Sequence, residues 1–366
     1  MPDGTRSVAQ GGSGRARASL RIAGEIVPPG ESRDLGLKIS ETYMGHPVEI
    51  PLRVIRASRP GPTVALVAAL HGDEINGIGI IRDIMFQDLQ LQRGAVVCLP
   101  VVNIFGLESQ SRYLPDRRDL NRSFPGREQG SLAYRLAHAL FQDVILQCDY
   151  CIDLHTAATK RTNFPHVRGD LSRPEVKRLA YAFGCELVVH KKGSLHTLRA
   201  TACRHGVPTI IYEAGEVLKF EPGIIGLGVR GILNVLKSLD MIEGEPVEPV
   251  YQTRVRKTLW VRADTGGILR YHVKPGELVE AGTPLAVCDK IFSQEGTEIV
   301  APVSGIVLGM STMPAIKPGE PVCHLAVPSA SLASIRAQLQ KQPESLHRRL
   351  QRDLATSFSV EASEKT

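Results

Sequence analysis

Two His-x-x-Glu pairs stand close together in this chain, His46 and Glu49 in HPVE and His71 and Glu74 in AALHGDEINGIG. An imidazole and a carboxylate at that spacing can grip a divalent ion only where the backbone brings both to one point. HPVE runs into a proline in a stretch that reads as extended, so that pair is read as structural. His71 closes an apolar strand and Glu74 opens the next helix, so one turn carries both side chains to the same side. Ligands of open α/β sheets collect at that strand edge. A hydrolytic zinc keeps three protein ligands and one position open for water, and His, His and Glu are a common set. The third ligand should come from another strand end, and YCIDLHTAA supplies His155.

Asp153, two residues before His155, is expected to face the other side of the strand, which leaves it a doubtful support for a ligand or else a loop or core anchor. A catalytic base belongs on the same edge. TIIYEAGE places Glu213 at a strand end, with Glu216 as its rival nearer solvent. Between the ligands runs LPVVNIFGLESQSRYLPDRRDLNRSFPG, which gathers Arg112, Arg117, Arg118 and Arg122 with Asn103, Asp119 and Asn121. It reads as a solvated basic loop or, given the rigid Phe124-Pro125-Gly126 turn after Asn121-Arg122, as side chains held to meet a carboxylate, which an arginine fork matches. Lys160 and Arg161 follow the zinc histidine and either extend the pocket toward a second anionic group or are surface charges.

Such a constellation needs a sheet with one functional edge, and the apolar runs supply it. Runs at 63–70, 95–102, 150–155, 186–190 and 209–214 alternate with helical stretches near 76–88, 130–146, 173–184, 196–205 and 224–239, after paired strands over 37–56. Buried strands separated by helices predict an α/β domain, over 23–243, with a largely parallel sheet flanked by helices. Residues 1–22 are rich in Gly, Ser and Arg and read as a disordered tail. Near 245 a Pro- and Glu-rich linker leads into a β-rich, glycine-punctuated segment at 250–328. Within it Lys274-Pro275-Gly276-Glu277 is echoed by Lys317-Pro318-Gly319-Glu320, which predicts two hairpin halves of one small β-barrel or sandwich. Residues 329–352 read as one polar, partly amphipathic helix, and the last dozen residues as loose.

Composition removes several function classes. Of the net charge of +6, +3 lies in residues 1–21 and +2 in 330–366, so the folded part has no basic excess for nucleic acid. No apolar run approaches a membrane span and the N-terminus lacks a secretion signal's apolar core. The seven cysteines include Cys148 and Cys151 in CDYC, but no second pair completes a zinc site. They are expected as core thiols of a cytoplasmic protein in a reducing compartment. Self-association is left open.

Taken in order, His71-Gly72-Asp73-Glu74 with Asn76-Gly77, Pro100-x-x-Asn103-x-x-Gly106, Asp119-Leu120-Asn121-Arg122 with Phe124-Pro125-Gly126, Asp153-Leu154-His155 and Glu213-x-Gly215 form a specific set. Over about residues 38–240 the chain resembles the succinylglutamate desuccinylase and aspartoacylase branch of the zinc carboxypeptidase superfamily. The resemblance implies a carboxypeptidase-like fold and one zinc held by His71, Glu74 and His155. It implies Glu213 as the base that moves a proton from water to the leaving amine, and Arg112 as the group that polarises the scissile carbonyl. Asn121 and Arg122 would clasp a substrate carboxylate. The expected partner is an N-acyl amino acid or an acidic, glutamate-type peptide, with a catalytically silent scaffold as the alternative. The segment after 250 resembles the barrel-sandwich fold of biotinyl and lipoyl carrier domains, with Gln294 where carriers bear lysine, so it is expected to carry no cofactor.

Overall fold

The computed structural model describes residues 19–342 and 345–355. The chain opens with strands β1 (Leu20–Ile22), β2 (Glu25–Val27), β3 (Ser32–Glu41) and β4 (Pro47–Arg56). The alternating part follows as β5 (Thr63–Ala68), α1 (Asn76–Phe86), β6 (Ala95–Leu99), α2 (Ile104–Glu108), α3 (Leu132–Asp143), β7 (Tyr150–His155) and β8 (Arg161–Gly169). It continues through α4 (Pro174–Ala182), β9 (Leu187–His190), α5 (Leu198–Arg204), β10 (Thr209–Glu216) and α6 (Pro222–Ser238). The C-terminal part adds β11 (Thr253–Arg262), β12 (Gly267–Tyr271), β13 (Leu278–Val279), β14 (Pro284–Asp289), β15 (Gly296–Val300), β16 (Gly305–Ser311), β17 (Ala315–Ile316) and β18 (Pro321–Pro328), then helices α7 (Leu332–Gln340) and α8 (Leu346–Ala355).

β5 and β6 lie mid-sheet because every residue in them can be buried. Alternate side chains of β5 feed two cores: Val64, Leu66 and Ala68 pack toward α1 and α6, while Ala65 and Val67 pack toward α3. The sheet is therefore covered by helices on both faces. Among the described residues its order is β13-β16-β18-β11-β9-β8-β10-β7-β5-β6-β4-β3. The strands β10, β7, β5 and β6 run parallel. β8 enters antiparallel to β10, and β4 antiparallel to β6, so the sheet is mixed rather than largely parallel.

The linker near 245 does not divide the sheet. β11 pairs in parallel with β9, and β16 pairs with both β18 and β8. β8, β9, β11, β18 and β16 thus close a ring of pairings drawn from both parts of the chain. A four-stranded sheet, β15-β14-β12-β17, faces the C-terminal strands across a separate core of Leu269, Tyr271, Leu285, Val307, Met310 and Leu325.

Three boundaries differ from expectation. Leu20–Ile22, placed in the disordered tail, is a strand with Leu20 and Ile22 buried; residues 1–18 lie outside the described residues. The single helix expected over 329–352 is two, α7 and α8, and residues 356–366 of the tail expected to be loose lie outside the described residues. β8 was not read at all. All seven cysteines are buried and free, as expected, and no helix among the described residues is long and apolar enough to cross a membrane.

Candidate metal centre and active-site cavity

The parallel strands end at one edge, and two of those ends carry the cluster. After β5 the chain turns sharply through Ala69 (φ +48°) and delivers His71. Gly72 then lies so close to α2 that a Cβ there would sit 1.9 Å from the Gly106 carbonyl carbon, so only glycine fits. Asn103 braces that contact by accepting a bond from Gly106 N at 2.8 Å. Glu74 follows just before α1, and His155 is the last residue of β7.

His71, Glu74 and His155 are all buried, and their ligand atoms lie within 4.8 Å of one another. Glu74 joins the two rings, with Oε1 2.6 Å from His71 Nδ1 and Oε2 2.8 Å from His155 Nδ1. Each ring's other nitrogen meets a carboxylate. His71 Nε2 lies 3.2 Å from Asp119 Oδ1, and His155 Nε2 lies 2.9 Å from Asp153 Oδ2. The second approach is an ion-pair contact rather than an aligned hydrogen bond, since neither group makes one there. Both Nδ1 atoms and Glu74 thus converge on one point while carboxylates behind the rings set their orientation, as they do around metal-binding histidines.

Asp153 corrects the expectation that it faces away from His155. Residues two apart in a strand share a face, and Cys151, Asp153 and His155 do so here. Asp153 is fully buried.

Electrostatics match a cation site. Burial alone would raise the Glu74 pKa, but His71 and His155 on either side outweigh it and hold the carboxyl well below its usual range. Burial likewise opposes charge on the two rings, yet the carboxylates around them raise both imidazole pKa values. A pocket that favours protons on two buried rings is one that stabilises positive charge. The donor set and its supporting carboxylates therefore fit zinc.

Beside the cluster opens a cavity of about 540 Å³. Arg112, Asn121, Arg122 and Glu213 all line it, so the structure brings the expected site residues together. The Arg112 guanidinium is held by Asp119 Oδ2, at 2.9 Å from Nη2 and 3.2 Å from Nε, with Nη1 3.3 Å from Glu74 Oε1. Asn121 is buried and its Oδ1 accepts from Leu198 N at the start of α5. Arg122 is exposed and donates to the Asn121 carbonyl. Glu213 pairs with His155 in the β10–β7 ladder. Its carboxylate accepts from Asn163 Nδ2 at 3.1 Å and lies 3.4 Å from Arg168 Nη1.

Glu216 is not the rival nearer solvent. It is the more buried of the two glutamates, is tied to Lys219 and Thr312, and does not line the cavity. His46 and Glu49 are exposed on the β3–β4 hairpin.

Several lining residues escaped the sequence reading. Asn163 and Arg168 come from the unread strand β8, and Thr258, Leu259, Trp260 and His324 from the C-terminal strands. Arg199 of α5 is 5% exposed, and its Nε and Nη1 have no protein partner. A buried arginine beside the cavity carries no sequence mark. Asp119 was visible only as part of its motif.

The family model described as the succinylglutamate desuccinylase/aspartoacylase catalytic domain matches residues 60–239. A curated relative, the N-alpha-acetyl-L-2,4-diaminobutyric acid deacetylase of Halomonas elongata, is 29% identical over 255 residues, covering 65% of this chain and 73% of its own. The crystal structure of a succinylglutamate desuccinylase/aspartoacylase from Rhodobacter sphaeroides is similar with a TM-score of 0.72 at 28% identity, over 81% of this chain and 96% of that one. The product-bound ectoine utilization protein EutE (DoeB) from Ruegeria pomeroyi shares the fold, with a TM-score of 0.72 at 23% identity over 81% and 95% of the two chains. The matched residues 60–239 span the whole cluster, so the similarity to the succinylglutamate desuccinylase/aspartoacylase catalytic domain covers the candidate site itself.

Proposed function

We propose that this protein is a zinc-dependent amidohydrolase that deacylates an N-acyl amino acid or cuts the C-terminal bond of an acidic, glutamate-type peptide. The observation that carries the reading is the convergence of His71 Nδ1, His155 Nδ1 and Glu74 beside a cavity rich in arginine. One zinc held by these three residues would supply an acidified water and an electron-poor site for the carbonyl oxygen.

The chain's own side chains would do the rest. Glu213, held by Asn163 and Arg168, takes a proton from the attacking water and returns it to the leaving amine. Arg112, fixed by Asp119, polarises the scissile carbonyl and meets the oxyanion with a preorganised charge. Arg122 and Asn121 Nδ2 clasp the substrate's free carboxylate, while the Asn121 oxygen keeps its bond to α5. The lining holds Arg112, Arg122, Arg161, Arg168, Lys191 and Arg199 against Glu74 and Glu213, which favours an anionic substrate.

The same reading takes residues 250–328 as a barrel-sandwich unit without a cofactor, with Gln294 in the turn between β14 and β15. Seven buried free thiols support a cytoplasmic location. A hydrolysis screen of zinc-loaded protein against N-acyl amino acids and short glutamate-ended peptides tests the function. Release of free amine that stops on chelation supports it, and metal uptake with no hydrolysis of either class favours a silent scaffold.

A further inference from the structure

Two of the cations around the cavity are held by carboxylates. On the catalytic side Arg112 has Asp119 and Arg168 has Glu213. On the side closed by the C-terminal strands, Arg161 lines the cavity with no carboxylate at ion-pair distance among the described residues. Its guanidinium carbon instead lies 5.0 Å from the centre of the Trp260 ring. Trp260 in turn stacks on His324, with centroids 4.3 Å apart and planes 7° from parallel.

This wall is rigid. Arg161 begins β8 and pairs with Ser311 of β16, so the C-terminal unit is stitched to it by a strand ladder. Trp260 and His324 are opposed in the β11–β18 ladder. Lys160, the neighbouring cation, does not line the cavity. His324 cannot compensate the positive field. Its pKa is pushed down to about 3 by burial and then by Arg168, Lys191 and Arg161, so it is a neutral ring among three cations.

We infer that Arg161, braced on Trp260, is an anion subsite on the cavity wall shared with the C-terminal strands, and that it receives a second carboxylate of the substrate. A half-buried guanidinium set against an aromatic ring, with Arg262 as a further cation nearby and no carboxylate among the described residues at ion-pair distance, retains its hydrogen-bond donors for an anionic ligand. The C-terminal unit is then part of the recognition machinery, since it supplies the ring that orients the arginine. The inference rests on the reading of this cavity as the site of an anionic N-acyl substrate.

Trp260 is the only tryptophan in the chain, so its fluorescence reports on this wall directly. The experiment is a fluorescence titration of the full-length protein with glutarate, adipate and pimelate, each compared with its monoamide. At least one diacid is expected to perturb Trp260 saturably and to bind ten-fold or more tightly than its monoamide. Arg161→Gln should erase that preference, and Arg161→Lys should restore part of it. The subsite is overturned if no diacid outcompetes its monoamide, or if Arg161→Gln leaves the preference intact. Hydrolysis plays no part in the readout. A protein that binds diacids through Arg161 yet cleaves nothing sinks the enzymatic reading and keeps the subsite, and an active enzyme indifferent to Arg161 does the reverse.

Discussion

His46 with Glu49 and His71 with Glu74 share a spacing and nothing else. In the first pair the chain is extended through β4, where residues three apart project to opposite faces, and both side chains are exposed. Glu49 lies instead across the hairpin over Gly36, where a Cβ would come within 2.2 Å of its carboxylate. In the second pair a strand gives way to a helix, the two side chains converge to 2.6 Å, and both are buried. Asp119 and Arg112 close around them, and Asp153 stands behind the third member, His155. Spacing sets which groups could meet, and the backbone path with its surroundings decides whether they do.

The contrast can be broken most forcefully at the glutamates. Glu74→Gln should cost about a thousandfold or more in kcat/KM together with the bound zinc, and Glu49→Gln should leave both unchanged; steady-state kinetics on the deacylation substrate checks the pair. Glu213→Gln comes next. It keeps shape and hydrogen bonding but cannot accept a proton, so zinc content should hold while kcat falls at least about a hundredfold. Glu216→Gln, away from the cavity, should retain kcat, and the reverse pattern would exchange their roles.

The supporting carboxylates separate the two regions more finely. Asp153→Asn removes the charge behind His155 and should weaken zinc affinity by about 10- to 100-fold, measured by competition with a chelator. Smaller in stability terms is the glycine beside each histidine. Gly72→Ala drives a methyl into the α2 backbone and should destabilise by about 3 kcal/mol in denaturant unfolding. Gly45→Ala meets open space and only the strain of φ +78°, about 1 kcal/mol.

Much of the site was legible because its residues sit where periodic patterns end. The largely apolar runs TVALVA and AVVCL announced central strands, and the histidines and Glu213 stand at or just past such runs. β8 was not legible. RTNFPHVRG mixes arginine, proline, histidine and asparagine, yet it is buried over most of its length because neighbouring strands and cavity walls take up those polar groups. With β8 went Asn163, Arg168 and the junction to β16, so the C-terminal unit read as separate when it shares the sheet and the cavity. Asp153 was misplaced by a slip in strand periodicity, since the sequence contained the i, i+2 relation that puts it beside His155.

The central claim, that geometry rather than spacing makes the metal site, is tested most directly by elemental analysis of three proteins purified alike: wild type, His46→Ala and His71→Ala. The account predicts about one zinc per chain in the wild type and in His46→Ala, and a loss of most of it in His71→Ala. Equal zinc in the two variants would contradict it.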